Sequence, residues 1–561
     1  MKKILVFFVV FTTCFVFAKA APEANPTVRV GLYYNNSALP TANLQNVTGF
    51  GYGYRFGFFD SNHTFIQQFS TDATNRISML KDKNIYFYDG AFYESGAPSG
   101  SILIGAYHIE LESSYNSESE VKSAVAKLQT QNIPAFAAYN NKLYKIRIGS
   151  YGTTTAAKND IAKYADLGTA TVVGNNSKCV TVVNTVNGKI LFEYDNSTSL
   201  AVYPSLGEVE KPLTWFKGYK YYGGFQYIRT DGNMAVINFV PMQEYTKGVI
   251  PYEMSASWPI EALKAQALCA KTYALYNYGK HSASFDVCAT TDCQVYKGAN
   301  SATEHSDRAV DETYGMYILY DGKPINAVFC SSNGGATENS ENVWSAKLPY
   351  LRGVYDNNEN LDSSTNGRWS YEYTSDELTH ILNAKGYSCK KIVNMYIKEF
   401  TEMGNVKTLT LVDSSGKEFN FSKEKSRTIL YSSTYKKYTH SQRYTVTRKG
   451  GGTSSGTTAL FINNSENSAD ITDSTLYVVG ADGTKQLPSN NVTVISSNGK
   501  TEYGSTGTAS GGDPVFVVSG SGWGHNVGMS QYGAKAMANN GKTVADIIHF
   551  YYTDVTIYPV E

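Results

Sequence analysis

The order of strand-like and helix-like segments over residues 104–183 constrains the fold more than any other feature of this sequence. Apolar positions at Val121, Val125 and Leu128 predict an amphipathic helix in SESEVKSAVAKLQTQ. A second helix is predicted in TTTAAKNDIAKYADLG. Strand patterns precede, separate and follow the helices: IGAYHIELES, then PAFAAYN and LYKIRIGSY, then TATVV and CVTVV around the turn GNNSK. This β-α-β-β-α-β order predicts a small α+β unit of the split βαβ type.

Strand patterns also dominate the flanking regions. Residues 28–34, VRVGLYY, read as a strand, and short strand-like runs rich in Tyr, Phe and Gly continue to about residue 103. Four more strand patterns lead from residue 186 into a helical region at 243–278. Two stretches rich in Gly, Ser and Thr delimit an inserted β element at about 449–513. The sequence therefore predicts a multi-domain, β-rich α+β protein.

The first twenty residues have the pattern of a signal peptide. Lys2 and Lys3 precede an apolar run over residues 4–18, and Ala18-Lys19-Ala20 offers the small residues that signal peptidase prefers. The run is shorter than the about 20 residues that a membrane helix needs. We therefore expect a secreted, extracytoplasmic protein that keeps no transmembrane helix after cleavage. An uncleaved anchor is the alternative.

Composition narrows the class of partner. The chain has 49 basic and 49 acidic residues with no basic block, which argues against nucleic acid. Of seven cysteines, Cys14 lies in the apolar run, and the others are too few for a disulfide scaffold. The 44 tyrosines suit half-exposed strands, where they pack in the sheet or stack on sugar rings.

The segment PYEMSASW places one carboxyl group in an unusual position. Glu253 lies in this irregular segment, ahead of a helix that Pro259 starts and Gly279 ends. Its neighbours Tyr252 and Met254 predict partly apolar surroundings, which raise the pKa of a carboxyl group. Such a group suits a general acid for a glycosidic oxygen.

Three blocks of sequence resemble the SpoIID/LytB family. They are GVIPYEMSASWPIEALKAQALCAKTYAL, then CQVYKG with AVDETYGMYILYDGKPINAVFCSSNGGATENSENVW, and finally GSGWGHNVGMSQYGAKAMANNGKTVADIIHFYY. The resemblance implies a lytic transglycosylase that acts on peptidoglycan glycan strands lacking stem peptides. It assigns the catalytic role to Glu253, in the EM pair. It requires no cofactor for catalysis.

Other residues of these blocks are candidates for substrate binding. We expect the polar loop after the strand NAVFC to line the cleft, together with residues of the last block: Ser332, Asn333, Gly334, Gly335, Thr337, His525, Gln531 and Tyr532. Lys271 of the first block is a further candidate for substrate binding. For His525, a structural role in its loop is the alternative. Two positions depart from the family pattern. Lys271 stands where an arginine is usual, and Asn526 stands where a glycine is usual.

The unit at 104–183, with the run LYKIRIGSY before its second helix, resembles SPOR domains. The resemblance implies binding to glycan strands stripped of stem peptides. Such a unit would act as a tether that raises the local concentration of the polymer. We thus predict the following parts: a signal peptide at 1–20, a β-rich segment at 21–103 that can complete the next sheet through VRVGLYY, a SPOR-like domain at 104–185, and a SpoIID-type domain at 186–561.

A metal or disulfide site is predicted in HSASFDVCATTDCQVY. Cys288 and Cys293 are five residues apart, and His281 precedes them. Thiolates with a histidine at loop spacing suit zinc, whereas an oxidising exterior favours a disulfide. Zinc, a disulfide and free thiols remain open here. Some proteins of the SpoIID family bind zinc in this loop, which implies a structural ion.

Three functions are compatible with these patterns. The first is a lytic transglycosylase on denuded glycan. The second is a peptidoglycan-binding modifier that enhances a cell-wall amidase without cutting glycan, as the LytB branch implies. The third is a surface protein that only adheres, which leaves the three blocks unexplained.

Overall fold

The computed structural model describes residues 22–71, 73–206, 210–229, 232–281, 284–361, 366–449 and 512–559, with only the backbone of short strands between 462 and 503. The predicted signal peptide lies outside the described residues. The predicted insertion contributes three short two-stranded pairings there: Ile462–Asn464 with Asn467–Ala469, Leu476–Gly480 with Gly483–Leu487, and Val492–Ser496 with Gly499–Tyr503. The β-rich, multi-domain α+β class is confirmed.

A ten-stranded sheet forms one layer of the first core. Its strands, in spatial order, are Ala170–Gly174, Tyr107–Tyr115, Leu143–Tyr151, Ala135–Asn140, Ile190–Asp195, Val180–Asn184, Arg76–Lys81, Thr41–Asn46, Thr214–Phe216 and Tyr219–Tyr221. The first four strands and the helices Glu118–Thr130 and Thr154–Asp160 form the predicted split βαβ unit. The sheet continues without a break beyond this unit.

One sequence-based expectation about this unit is wrong. The segment CVTVV does not pair with TATVV: Val180–Asn184 pairs with Ile190–Asp195 and with Arg76–Lys81. Ala135–Asn140, in turn, pairs in parallel with Ile190–Asp195, which lies beyond the unit. An unbroken ladder of backbone hydrogen bonds holds the unit in the larger sheet.

A seven-stranded sheet forms the opposite layer. Its spatial order is Val287–Cys288, Thr27–Tyr33, Met234–Pro241, Gly224–Arg229, Leu200–Pro204, Tyr54–Phe59 and Phe65–Thr71. The N-terminal strand pairs antiparallel with Met234–Pro241, so VRVGLYY does join the sheet that leads to Glu253. Buried aliphatic and aromatic side chains of both sheets fill the space between them.

Helices build the second core, beside the candidate site. Met242–Glu253 follows its strand directly, and Ile260–Tyr276 is buried along nearly its whole length. Ile260–Tyr276 packs against helices Glu304–Asp311, Gln531–Asn539 and Val544–Tyr551. The short helix Ser340–Val343 adds to the same core. Helix Ile260–Tyr276 also contacts Met242–Glu253. It therefore lies between the helix that ends at Glu253 and the helix that begins at Gln531.

Smaller elements complete the fold. A third core joins helices Ser375–Ala384 and Glu424–Thr428 to two three-stranded sheets: Arg368–Thr374, Val515–Ser521 and Tyr444–Lys449, and Ile392–Phe400, Val406–Asp413 and Glu418–Ser422. The remaining strands are Ile85–Tyr88, Ala91–Tyr93 and Ile102–Ile104, then Tyr317–Tyr320, Lys323–Pro324 and Thr556–Tyr558, and finally Phe329–Cys330 with Met529–Ser530. None of the described helices is both long and apolar enough to cross a membrane.

Candidate active site

Glu253 is the last residue of a helix. The prediction that it lies in an irregular segment ahead of a helix is therefore wrong by a few residues, since Met242–Glu253 is helical and Pro251 lies inside its last turn. Proline costs one backbone hydrogen bond there, but its φ is compatible with a helix. Met254 follows in extended conformation and is buried, which anchors the helix end in the second core.

The Glu253 carboxyl group is partly buried and accepts two hydrogen bonds. The backbone N–H of Val295 donates to Oε1 at 3.2 Å, and the Gln531 amide donates to Oε2 at 3.4 Å. Burial raises the pKa of Glu253, and the two hydrogen bonds offset part of that rise. The C-terminal end of a helix also disfavours a negative charge. The group is thus biased toward its protonated form, as a general acid requires.

Gln531 links the last sequence block to Glu253. It begins helix Gln531–Asn539, whose N-cap Ser530 accepts a hydrogen bond from the N–H of Gly533. The Gln531 amide nitrogen lies 3.4 Å from Glu253 Oε2 and 3.3 Å from the oxygen of the buried Gln266. This neutral donor orients the Glu253 carboxyl group without adding a charge. The structure therefore places Gln531, a predicted substrate contact, within hydrogen-bond distance of Glu253.

Two aromatic side chains that contact each other belong to the segments of Glu253 and Gln531. Tyr532 and Trp258 are both half-buried, with ring centroids 5.0 Å apart, and the Lys535 ammonium lies 4.8 Å from the Trp258 ring. The sequence-based prediction named Tyr532 but missed Trp258, although Trp258 stands in the segment PYEMSASW together with Glu253. Exposed aromatic faces of this kind suit the apolar faces of sugar rings.

A second aromatic group lies next to Glu253 in sequence. The Lys297 ammonium is 5.4 Å from the Tyr252 ring and 5.9 Å from the Tyr219 ring. The Ser301 hydroxyl donates to the Tyr252 hydroxyl at 2.9 Å. These contacts set the orientation of Tyr252. Val295, which donates to Glu253, stands only two residues before Lys297.

The polar loop after NAVFC does not present its side chains to a ligand. Ser332, Asn333 and Thr337 are fully buried, contrary to the expectation of substrate contacts. Their polar atoms bind the protein itself: Ser332 donates to Glu359 at 2.8 Å, and Asn333 donates to Asp356 at 2.7 Å. The Thr337 hydroxyl accepts from the N–H of Val354.

The two glycines of this loop serve close packing. Gly334 and Gly335 have φ of 71° and 112°, values that favour glycine. A Cβ on Gly334 would lie 2.5 Å from the backbone oxygen of Ser521. The loop therefore packs against the segment that leads to His525 and Gln531, and it supports the site rather than lining it.

Lys271 is also wrongly expected to bind substrate. Its side chain has no exposed surface, and its ammonium group donates to the backbone oxygen and, at 3.1 Å, to the hydroxyl of Thr313. Desolvation lowers the pKa of Lys271 to about 7. The residue joins helix Ile260–Tyr276 to the segment after helix Glu304–Asp311.

His525 and Asn526 hold the glycine-rich loop. The His525 Nδ1 accepts from the N–H of Val527 at 3.1 Å, and burial lowers the pKa of His525 to about 4, so the ring is neutral near pH 7. Asn526 has a φ of 62°, which explains why glycine is usual there and why asparagine is tolerated. These contacts match the structural alternative for His525.

Four potential metal ligands converge at the edge of the seven-stranded sheet. One atom each of His281, Cys288, Asp292 and Cys293 lies within 4.8 Å of the others. Cys288 belongs to the strand that pairs with Thr27–Tyr33, and His281 Nε2 is 3.3 Å from Cys293 Sγ. A tetrahedral zinc with bonds of about 2.0–2.3 Å needs ligand atoms about 3.5 Å apart, which this cluster approaches. The sequence-based prediction named His281, Cys288 and Cys293 but not Asp292.

The thiols of this cluster interact with each other and with a cation. A hydrogen bond from Cys293 lowers the pKa of Cys288 to about 4 and raises that of Cys293. The Lys280 ammonium lies 3.4 Å from Cys293 Sγ. Both cysteines are free thiols in the structure. Two thiols, an imidazole and a carboxylate form a donor set that fits zinc.

Comparison with known families matches two segments of the chain. The SpoIID family, described as stage II sporulation protein, matches residues 230–320, which include Glu253, Val295 and the four potential metal ligands. The SPOR domain family matches residues 104–173, the split βαβ unit. An uncharacterized protein of Brachyspira hyodysenteriae is 30% identical over 342 residues, 61% of this chain and 73% of that relative. The chain belongs to the SpoIID family.

Two relatives of this SpoIID protein carry informative names. The amidase enhancer of Bacillus subtilis is 31% identical over 55% of this chain, which covers 40% of the length of that relative. Stage II sporulation protein D of Bacillus subtilis is 27% identical over 58% of this chain and 76% of its own length. Membership of the SpoIID family and the SPOR domain support a function connected with the cell wall.

Proposed function

We propose that this SpoIID protein is a lytic transglycosylase that cleaves peptidoglycan glycan strands lacking stem peptides. The observation that carries the proposal is the Glu253 carboxyl group. It is partly buried, its pKa is raised, and its hydrogen-bond donors are neutral. The aromatic side chains of Trp258, Tyr532 and Tyr252, from the segments of Glu253 and Gln531, offer surfaces for sugar rings.

The reaction needs one carboxyl group in two protonation states. Protonated Glu253 donates its proton to the glycosidic oxygen while the C1–O bond to the leaving sugar breaks. The Glu253 carboxylate then accepts the proton of the C6 hydroxyl of muramic acid as that oxygen bonds to C1. The products are a 1,6-anhydro end and a free 4-hydroxyl, and no water is consumed. Acid–base help of this kind contributes about 100- to 10,000-fold in rate.

Ordinary glycosidases pair two carboxyl groups, one of which activates water or attacks C1. In the described part of the chain, the two hydrogen bonds to Glu253 come from an amide and a backbone N–H, and neither comes from an acid. The single-carboxyl route needs no second acid, because the C6 hydroxyl group of the sugar is the nucleophile.

The test compares Glu253→Gln with the parent on denuded glycan strands, and mass spectrometry detects 1,6-anhydro ends. We expect Glu253→Gln to keep its fold and to lose cleavage. Glu399→Gln, at an exposed surface ion pair with Lys407, is the matched control and should cleave normally. Full activity of Glu253→Gln would overturn the proposal.

A second candidate function is enhancement of a cell-wall amidase without cleavage of glycan. It is favoured by the similarity to a relative named amidase enhancer. The same experiment separates the two functions when an amidase and intact peptidoglycan are added. Intact glycan together with a stimulated release of stem peptides would favour the modifier, and Glu253→Gln would then stimulate as well as the parent.

We also propose that His281, Cys288, Asp292 and Cys293 hold a structural zinc ion. Zinc would tie the loop to the sheet edge at Val287–Cys288, and the proposed reaction does not use it. Metal analysis of protein purified without chelator should find one zinc per chain, and Cys293→Ser should lose it. A disulfide between Cys288 and Cys293 in peptide mass spectra would refute zinc.

The remaining proposals concern location and the SPOR domain. We propose that the chain is secreted after cleavage near Ala20 and that it associates with the cell wall, where its SPOR domain holds glycan strands. Determination of the N-terminal residue of the exported protein tests the cleavage. An N-terminus at Met1 would favour the uncleaved anchor.

A further inference from the structure

A polar cleft opens on the ten-stranded sheet, on the face away from the first core. Leu44 and Ile77 face the core, so the residues that alternate with them face the cleft. The cleft has a volume of about 480 Å³. Six of its polar and aromatic lining residues come from three strands and two turns: Asn43, Gln45, Arg76, Asp89, Trp215 and Lys217.

These six side chains have no hydrogen bond or ion pair with any part of the chain that the structure describes. Gln45 pairs with Arg76 on one side and with Trp215 on the other, so three of them stand side by side on adjacent strands. A set of aligned donors and acceptors that the protein leaves unused is available to a ligand.

The chemistry of the lining matches an acidic, amide-bearing sugar. Arg76 and Lys217 outnumber Asp89, so the cleft favours a ligand with a single negative charge. The guanidinium of Arg76 can bind a carboxylate through two parallel hydrogen bonds. The half-buried indole of Trp215 offers an apolar surface for a sugar ring, and the amides of Asn43 and Gln45 suit hydroxyl and acetamido groups.

One hairpin connects this cleft to the surroundings of Glu253. Trp215 pairs with Lys220, whose ammonium lies 4.9 Å from the indole ring. The backbone oxygen of Lys220 accepts from the N–H of Ala299, and Tyr219 lies 5.9 Å from the Lys297 ammonium, which also contacts Tyr252. The cleft and the candidate active site thus lie on either side of the hairpin Thr214–Tyr221.

We propose that the cleft is a second glycan-binding site, which takes an N-acetylmuramic acid unit with its lactyl carboxylate free. Trp215 supports the sugar ring, and Arg76 and Lys217 bind the carboxylate. The site anchors a strand that extends across the hairpin toward Glu253. The choice of polymer rests on the proposed function, whereas the binding itself does not use Glu253.

The test measures binding of fluorescently labelled denuded glycan strands to the full-length secreted chain carrying Glu253→Gln, which prevents cleavage. We expect Trp215→Ala and Arg76→Gln each to weaken binding about tenfold, as is usual when a stacking surface or a charge-assisted hydrogen bond is lost. Trp215→Phe keeps an aromatic ring and should retain most of the affinity. Tyr314→Ala, which removes an exposed tyrosine elsewhere, is the matched control and should bind as the parent does.

A neutral oligomer of N-acetylglucosamine separates the two contacts. Its binding should fall with Trp215→Ala and be unchanged by Arg76→Gln, because it has no carboxylate. The proposal is overturned if both variants bind denuded strands like the parent, or if Arg76→Gln weakens the neutral oligomer equally. It is also overturned if only teichoic acid, an anionic polymer without amino sugar acids, depends on Trp215 and Arg76.

The result of this binding test does not depend on whether the protein cleaves glycan strands. If Glu253→Gln proves fully active, the proposed reaction fails, yet a Trp215-dependent affinity would still establish the second site. If cleavage is confirmed and the cleft variants bind normally, only the second site fails.

Discussion

Removal of the Gln531 amide should shift the pH dependence of cleavage to higher pH. Gln531 donates to Glu253 Oε2 at 3.4 Å and thereby stabilises the carboxylate form. In Gln531→Leu this stabilisation is lost, so the pKa of Glu253 rises further. A general acid works only while protonated, and activity falls as the pH rises through its pKa. The alkaline limb of the pH profile of kcat/KM should therefore move to higher pH.

The size of the shift follows from the geometry of this bond. A hydrogen bond to a charged group contributes about 1.5–3 kcal/mol, and the length of 3.4 Å places this one at the low end. One pKa unit corresponds to about 1.4 kcal/mol, so we expect a shift of about one unit. The Val295 N–H remains and keeps the carboxyl group in place.

The assay follows the release of 1,6-anhydro ends from denuded glycan as a function of pH for the parent, Gln531→Leu and Tyr532→Phe. Tyr532→Phe removes only a hydroxyl group from the adjacent residue and should leave the alkaline limb where it is. An unchanged or lower limb in Gln531→Leu would refute the reasoning, because it would mean that Gln531 does not stabilise the charged form of Glu253.

Three further predictions follow from burial and charge. The pKa of Glu253 is raised in the folded state, so the stability of the fold decreases as the pH rises from the pKa of the unfolded state through that of the folded state. Glu253→Gln should therefore raise Tm near neutral pH and change it little near pH 4, as measured by calorimetry. Burial lowers the pKa of Lys271 to about 7, so the folded state loses stability as the pH falls from about 10 toward 7. Lys271→Met should remove this loss, as measured by urea titrations at several pH values. An unchanged pH dependence in Lys271→Met would contradict the burial of the lysine charge. Trp258→Ala should raise KM about tenfold with a smaller effect on kcat, whereas Tyr314→Ala should leave both KM and kcat unchanged.

Much of the candidate site was predictable because its key signals are local. The Glu253 carboxyl group, the two cysteines with His281, and Gln531 with Tyr532 all stand in short blocks that are visible without a fold. The sequence did not predict whether the polar side chains of the loop at 332–337 face a ligand or the protein interior. Small polar side chains serve equally well as ligand contacts and as internal hydrogen-bond partners. Lys271 raised the same problem: a lysine on an otherwise apolar helix is read as exposed unless its partner, Thr313, is known.

The sequence by itself predicted most of the helices and strands, because the period of apolar residues and the flanking residues act over a few positions. The choice of Glu253 as the acid rests on the resemblance to the SpoIID/LytB family. Only the tertiary structure decided which partners meet. It brings Val295 and Gln531, 42 and 278 residues away from Glu253 along the chain, to the same carboxyl group. It also merges the SPOR domain with the N-terminal strands into one sheet. The physical reason is that an apolar face encodes the need for burial but not the identity of the element that covers it.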